Sequence, residues 1–355
     1  MISLVKKSNL LVIKKAQLWL GFFVLIILFS GCKKQNLTVT INGNTMGTTY
    51  SIKIIDQLTP TIDINNVKGK IDSVLQFINQ QMSTYIPDSE ISRFNRLNNN
   101  EWFTISTEFY DVIVIAQEIS RLTNGAFDIT VGPIMDLWGF GGEVAQTNWK
   151  PPSDQKIEEI KKSIGFNNIV VGENSVKKKN TDTKIDLNAI AKGYGVDVVF
   201  ELLRDLGYTD ILVEVGGEVR CNGFNQDGNY WKIGIDKPLL DVLPGTELQT
   251  IISLNNNALA TSGDYRNYFE YNGELYSHTV DPVTGYSTHS NVASASVMAP
   301  NCTTADALAT ALMVMGEKGI ELINSMDSVE AMIIIRTDDN KYIRVESFGW
   351  VTNRF

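Results

Sequence analysis

Histidine is almost missing from this chain of 355 residues: only His278 and His289 occur. A site built on three imidazoles is therefore excluded. Cysteine is scarce too. Cys32, Cys221 and Cys302 stand far apart with no CxxC pair, which excludes a zinc ribbon, a thioredoxin-type motif and a dense disulfide scaffold. Basic charge is in deficit, with 31 Lys and Arg against 40 Asp and Glu and a net charge of −9. A chain lacking a basic face is a poor grip for a nucleic-acid backbone, so no nucleic-acid partner is expected. No internal repeat is visible. What is there is ordinary globular composition, 43% hydrophobic and 20% charged, neither disordered nor that of a multi-span membrane protein. The length suits two domains or one large one.

The first segment reads as an address. Lys6, Lys7, Lys14 and Lys15 precede the apolar run Leu18 to Phe29, followed by Ser30-Gly31-Cys32. A positive leader, a short apolar stretch and small residues before a cleavage point describe a secretory signal peptide over 1–31. The run falls short of the about 20 residues that span a bilayer. Cys32 directly after Ser-Gly resembles a bacterial lipobox, in which that thiol is lipidated. Phe29 departs from it, standing where leucine is usual. An uncleaved anchor, or a plain signal peptide with a chance cysteine, are the other readings, and all three export the chain. Losing the leader's four lysines takes the net charge from −9 to −13 over the remaining 324 residues. Acyl chains contribute about 0.8 kcal/mol per buried CH₂, so multiple acylation holds so acidic a protein at a membrane without a basic patch. Cys221 and Cys302 are then the remaining pair; sequence does not fix whether they come close enough to bond.

Residues 33–42 read as a tether running into a strand, with a hairpin turn predicted at Asn42-Gly43-Asn44 between alternating β-branched segments. Ile71, Val74, Leu75, Ile78 and Met82 recur at helical spacing. A second helix is predicted over Glu108–Leu122, ended by Gly125. The glycine- and proline-rich stretch 139–153 reads as a long loop, and Lys177-Lys178-Lys179 as a solvated turn. Further on, the pattern predicts strands at 185–187, 211–215, 231–235, 250–254, 330–335 and 342–346, with helices at 189–206 and 304–315. Strands and helices mixed without steady βα alternation indicate α+β.

Two segments suit phosphate chemistry. Thr303-Thr304-Ala305-Asp306 opens an alanine-rich helix, with Thr303 or Thr304 as its cap. Asp306 and Thr310 fall one turn apart on one face, two hard oxygens suited to Mg²⁺; an Asp complementing the helix dipole beside a packed Thr meets the same spacing. In Lys184-Ile185-Asp186-Leu187-Asn188-Ala189-Ile190-Ala191-Lys192-Gly193, small residues at a helix start and a lysine suit a phosphate, and a carbonyl there is within reach of a metal. Asp186 could cap that helix or orient Lys192. A tightly packed corner is the alternative. His278 sits between hydroxyls beside Asp281-Pro282, where an imidazole is placed to take a hydroxyl proton. Met, Tyr and Trp beside glycines near 46–50, 82–95 and 125–141 suit the walls of a flat aromatic ligand, and equally a core.

In order, the segments MGTTYSI, MSTYIPDSEISRFN, GAFDITVGPIMDLWGFG, KIDLNAIAKGYGVD, ILVEVGGEVRCNG, ATSGDYRNYF, YSHTVDPVTG and TTADALATALMVMG resemble the ApbE family, the FAD:protein FMN transferases. They run from Met46 to Gly316. Asn188-Ala189 departs from the family's usual Gly-Gly or Gly-Ala, and Gly195 stands where alanine is frequent. The resemblance implies mixed sheets with packed helices in two intimately associated subdomains with the flavin site between them, a domain over 43–355 behind a lipid-anchored tether at 32–42. It implies FAD as substrate, Mg²⁺ near the pyrophosphate, and transfer of FMN to a Ser or Thr hydroxyl of flavoprotein subunits of membrane redox complexes, with AMP released. It places the metal on Asp306, Thr310 and the Ala189 carbonyl. It places the flavin dinucleotide on Met46, Ser83, Thr84, Tyr85, Asp128, Lys192 and the Thr279 and Val280 backbone, with His278 as base. Tyr85 stands where transferase-type members carry tyrosine, which favours transfer over hydrolysis of FAD to FMN and AMP. A non-catalytic flavin-binding lipoprotein is the third reading, one that needs no base. The expected location is the inner membrane, facing the periplasm.

Overall fold

Two strands joined by a two-residue turn begin the described part of the chain. The computed structural model describes residues 37–56, 62–98, 100–141, 149–239, 242–243, 245–264, 268–288, 291–337 and 341–350. The leader, Cys32 and His289 lie outside them. Strands β1 (Leu37–Thr45) and β2 (Thr48–Asp56) flank Met46-Gly47, whose φ angles of 49° and 71° make the positive-φ pair of a tight hairpin. The predicted turn at Asn42-Gly43-Asn44 instead lies inside β1. Gly43 is there for space, because a Cβ would meet the Tyr50 ring at 2.4 Å. β1 also starts inside the segment expected as a tether, with Ile41 buried.

The helices follow as α1 (Ile64–Met82), α2 (Glu90–Asn95), α3 (Thr107–Leu122), α4 (Gly132–Trp138), α5 (Asp154–Lys161), α6 (Ala191–Asp205), α7 (Cys302–Met315) and α8 (Glu317–Ile323). The strands continue as β3 (Phe103–Thr104), β4 (Ile169–Gly172), β5 (Ser175–Lys178), β6 (Ile211–Val215), β7 (Glu218–Asn222), β8 (Trp231–Asp236) and β9 (Leu248–Leu254). Then come β10 (Asn257–Gly263), β11 (Tyr268–Tyr271), β12 (Glu274–Ser277), β13 (Val292–Ala299), β14 (Glu330–Arg336) and β15 (Tyr342–Glu346). One eight-stranded sheet, in the order β1-β2-β6-β7-β10-β13-β14-β15, forms the frame; β3-β5-β4, β8-β9 and β11-β12 are small separate sheets. The mixed α/β architecture is as expected, and Thr38–Phe355 is one compact unit.

α7 packs on α6 and on β10 and β13. Its alanines at 305, 307, 309 and 311 are buried, so the backbones approach closely, and the largest core cluster forms around them with Phe109, Ile113 and Ile129. α1 buries Ile71, Leu75, Ile78 and Met82 of the predicted face, with Val74 half-buried and Val67 added to it. Three further local expectations fail. Lys178 is in β5 and 1% exposed, its ammonium donating to the carbonyls of Asn95 and Leu97 at 2.9 and 3.2 Å. Residues 185–187 form no strand; only Lys184 makes a single parallel bridge, to Val131. Asn301, not Thr303 or Thr304, caps α7 by accepting from the Thr304 amide. Cys221 and Cys302 are both buried free thiols.

Candidate active site

Segments far apart in sequence meet where α6 crosses α7. A Cβ on Gly193 would lie 2.4 Å from the Cys302 carbonyl oxygen and 2.8 Å from Asp306 Cβ. Only glycine admits that crossing. In the space left, the Gly193 amide donates to Asp306 Oδ2 at 2.9 Å. As the third residue of α6, Gly193 is among the first-turn amides that have no acceptor within a helix, and the Asp306 carboxylate fills that role. One turn beyond buried Asp306, Thr310 Oγ1 lies 3.3 Å from Ser262 Oγ on β10. A carbonyl, a carboxylate and a hydroxyl are hard oxygen donors and fit a Mg²⁺-type cation that completes its shell with phosphate and water. Among the described residues no group of three His, Cys, Asp or Glu is placed to hold a metal, so a softer centre has no donor set here.

Lys192 projects from the first turn of α6. Its ammonium donates to Glu218 Oε1 at 2.5 Å and stands 3.8 Å from Asp306 Oδ1. Burial alone would lower the lysine; the Asp306 and Glu218 carboxylates outweigh it and hold it raised, so it stays charged. Met46 packs against the same helix three residues on, since a Cβ on Gly195 would touch its Cε at 2.9 Å, and it lies against the apolar core. Two amides at this helix start are already engaged. The Ala191 amide donates to Leu187 and that of Gly193 to Asp306, and the one cationic side chain in this turn is Lys192.

A cavity of about 280 Å³ lies beside the same stretch of chain, with Thr84, Asn95, Asp136, Lys184 and Asp186 in its wall. Asp186 does not cap the helix, which has no side-chain cap; its carboxylate accepts from the Asn188 amide at 2.8 Å. Burial pushes its carboxyl up. The Ser83 carbonyl accepts from Ser89 Oγ and its hydroxyl from the Tyr85 amide at 3.3 Å, whereas the Tyr85 residue is 66% exposed. Asp128 is engaged on both oxygens: Oδ1 accepts from the amide and hydroxyl of Thr130, and Oδ2 from the Phe166 amide at 2.6 Å. The structure thus places Asp128 as a tie between two loops rather than in the cavity wall. A shallower depression of about 520 Å³ along α1 and Leu202 shares no residue with the site and carries no acid, histidine or thiol.

His278 follows β12 and is half-buried, its ring edge-on to Phe140 at 6.3 Å. The Thr279 amide donates to Ser277 Oγ and its carbonyl accepts from Thr288, while Val280 bridges Ser287. Trp138 Nε1 donates to the Gly285 carbonyl at 2.9 Å, fastening this turn to α4, whose Gly132 and Asp136 line the cavity. One helix therefore supports both the cavity and the histidine turn.

Sequence reasoning missed Glu218 and Asp197, and the wall position of Asp186. Asp197, on α6, accepts from the Cys302 and Thr303 amides at 2.9 and 2.8 Å and pairs with Arg220, so it holds the start of α7. Glu218 follows Gly216-Gly217, a turn the sequence shows, but no local pattern says which lysine it meets.

Comparison with known proteins follows from this geometry. Residues 46–333 match the family model described as the ApbE family. A Vibrio cholerae FAD:protein FMN transferase is 42% identical over 90% of this chain and 94% of its own. One from Haemophilus influenzae is 39% identical over 87% and 90%. Among solved structures, the flavin transferase ApbE from Vibrio cholerae superposes with a TM-score of 0.80 at 39% identity, covering 88% of this chain and 98% of that one. The apo flavinyl transferase ApbE of Pseudomonas stutzeri gives 0.80 at 31% identity, over 89% and 96%. Fold, motif order and these likenesses agree, and the chain belongs to the ApbE family.

Proposed function

We propose that this chain is an FAD:protein FMN transferase, moving FMN from FAD onto a Ser or Thr hydroxyl of a partner flavoprotein and releasing AMP. The observation that carries the reading is the α6–α7 crossing, where the Lys192 ammonium stands 3.8 Å from Asp306 Oδ1 and Asp306 Oδ2 accepts from the Gly193 amide. Asp306, Thr310 and the Ala189 carbonyl would hold Mg²⁺, which when bound neutralises phosphate charge. The Lys192 ammonium meets the dianionic pyrophosphate, and the cavity, at the small end of ligand pockets of about 300–1,000 Å³, takes one end of the dinucleotide. His278 removes the proton of the acceptor hydroxyl. That oxygen bonds to the phosphorus on the FMN side, the bond from this phosphorus to the bridging oxygen breaks, and AMP leaves with that oxygen. The proton taken by the imidazole passes to solvent. The acceptors are flavoprotein subunits of membrane redox complexes, and the protein works outside the cytoplasm, tethered through a lipid on Cys32.

Incubating the chain with FAD, Mg²⁺ and an acceptor segment bearing the target hydroxyl tests this. Fluorescent acceptor bands in a gel support transfer. Free FMN and AMP without labelling mean hydrolysis, and unchanged FAD means binding alone. Asp306→Ala abolishes labelling. His278→Ala lowers its rate by about 10²–10⁴-fold, the usual contribution of a general base, and still binds FAD; full activity in that variant removes the histidine from the mechanism.

A further inference from the structure

Two carboxylates compete for one ammonium at the α6–α7 crossing. Lys192 Nζ lies 2.5 Å from Glu218 Oε1 but 3.8 Å from Asp306 Oδ1, and only the first is hydrogen-bonded. Glu218 is held in place by the β6–β7 hairpin. It is the first residue of β7, paired with Val215, after Gly216 and Gly217 with φ of 63° and 107°. A Cβ on Gly216 would sit 3.3 Å from Lys192 Cδ and 3.4 Å from Glu218 Oε2, so the glycine gives the lysine stem its path over the turn. Glu218 is 4% exposed, and its Oε2 is buried without a hydrogen-bond partner. Such a carboxylate is costly to bury, so its bond to Lys192 is not an incidental surface contact.

Asp306 has one oxygen to spare. Oδ2 receives the Gly193 amide, leaving Oδ1 facing Lys192. An ammonium–carboxylate pair closes to about 2.7–2.9 Å when nothing opposes it. A shift of about 1 Å would therefore place Lys192 on Oδ1. We infer that Glu218 is a positioning residue that draws the Lys192 ammonium off Asp306 and so keeps Oδ1 open for a divalent cation. The inference rests on the reading of Asp306 as a cation ligand. Without Glu218, Asp306 becomes the nearest carboxylate to Lys192 among the described residues, and the lysine occupies the oxygen the cation needs.

The probe is Mn²⁺, titrated into the detergent-solubilised full chain without FAD and followed by the free-ion electron paramagnetic resonance signal. Glu218→Ala weakens Mn²⁺ binding by about tenfold, a coupling usual for adjacent charged groups. Adding Lys192→Met to that variant brings binding back to within about threefold of the wild type, because the competing ammonium is gone. A merely structural role for Glu218 gives no such restoration. Glu218→Gln keeps the volume and one acceptor oxygen, and its loss is intermediate; it serves where the alanine variant melts early by circular dichroism. Unchanged Mn²⁺ affinity in both Glu218 variants, or a double variant no better than Glu218→Ala, overturns the inference while leaving the cation site standing. A wild type that binds no Mn²⁺, or an Asp306→Ala chain that binds it as tightly, removes the cation reading and the inference with it.

Discussion

Lys178 takes its ammonium into the protein with main-chain carbonyls as acceptors. Burial lowers it to about 8, Lys184 nearby adds to the fall, and Asp182 opposes it. The folded chain then binds fewer protons than the unfolded one between about pH 8 and the ordinary lysine value near 10.4, so stability rises with pH across that window. Lys178→Met removes this rise. Urea midpoints at pH 7.5 and 10 check it: the wild type gains more than the variant, and parallel changes sink the assignment. From sequence, three consecutive lysines look solvated, because periodicity does not report a pocket of carbonyls contributed by residues some eighty positions earlier. That Asp306, Thr310 and Lys192 lie on helices was legible, because the helical spacing around each is local. Glu218 was not, since its meaning depends on a lysine 26 residues away.

Helices with strong periodicity, α1 and α3, fall where their apolar spacing puts them. β10 and β13 escaped notice because ALATSG and VASASVMA are built from small residues, and β13 is buried along nearly its whole length, so no alternation marks it. At this scale the α6–α7 crossing is the sensitive feature. Gly193→Ala sets a methyl against the Cys302 carbonyl and Asp306 Cβ, both parts of the opposing helix that cannot swing aside. It costs about 1–3 kcal/mol and weakens Mn²⁺ binding, because the helices must part. Gly195→Ala meets only the flexible end of Met46 and leaves the urea midpoint nearly unchanged. Equal losses in the two variants contradict this account of the crossing.

For the whole molecule, the expected leader and its Cys32 bear on where the protein works. No helix among the described residues is long and apolar enough to cross a membrane. Cys32→Ser abolishes incorporation of an alkyne fatty acid in growing cells, read by in-gel coupling to a dye; a variant that keeps the label refutes lipidation at that residue. The amino-acid sequence by itself determined what depends on neighbours along the chain: the helix faces, the mixed α and β class and the ordered motifs that announce the family. Those follow from local propensity and periodicity. Tertiary structure alone decided that Gly193 donates to Asp306 across 113 residues, that Glu218 holds Lys192, and that Asp128 ties loops together. A hydrogen bond between distant segments depends on distance in space, and the packing of α6, α7 and the main sheet sets that distance.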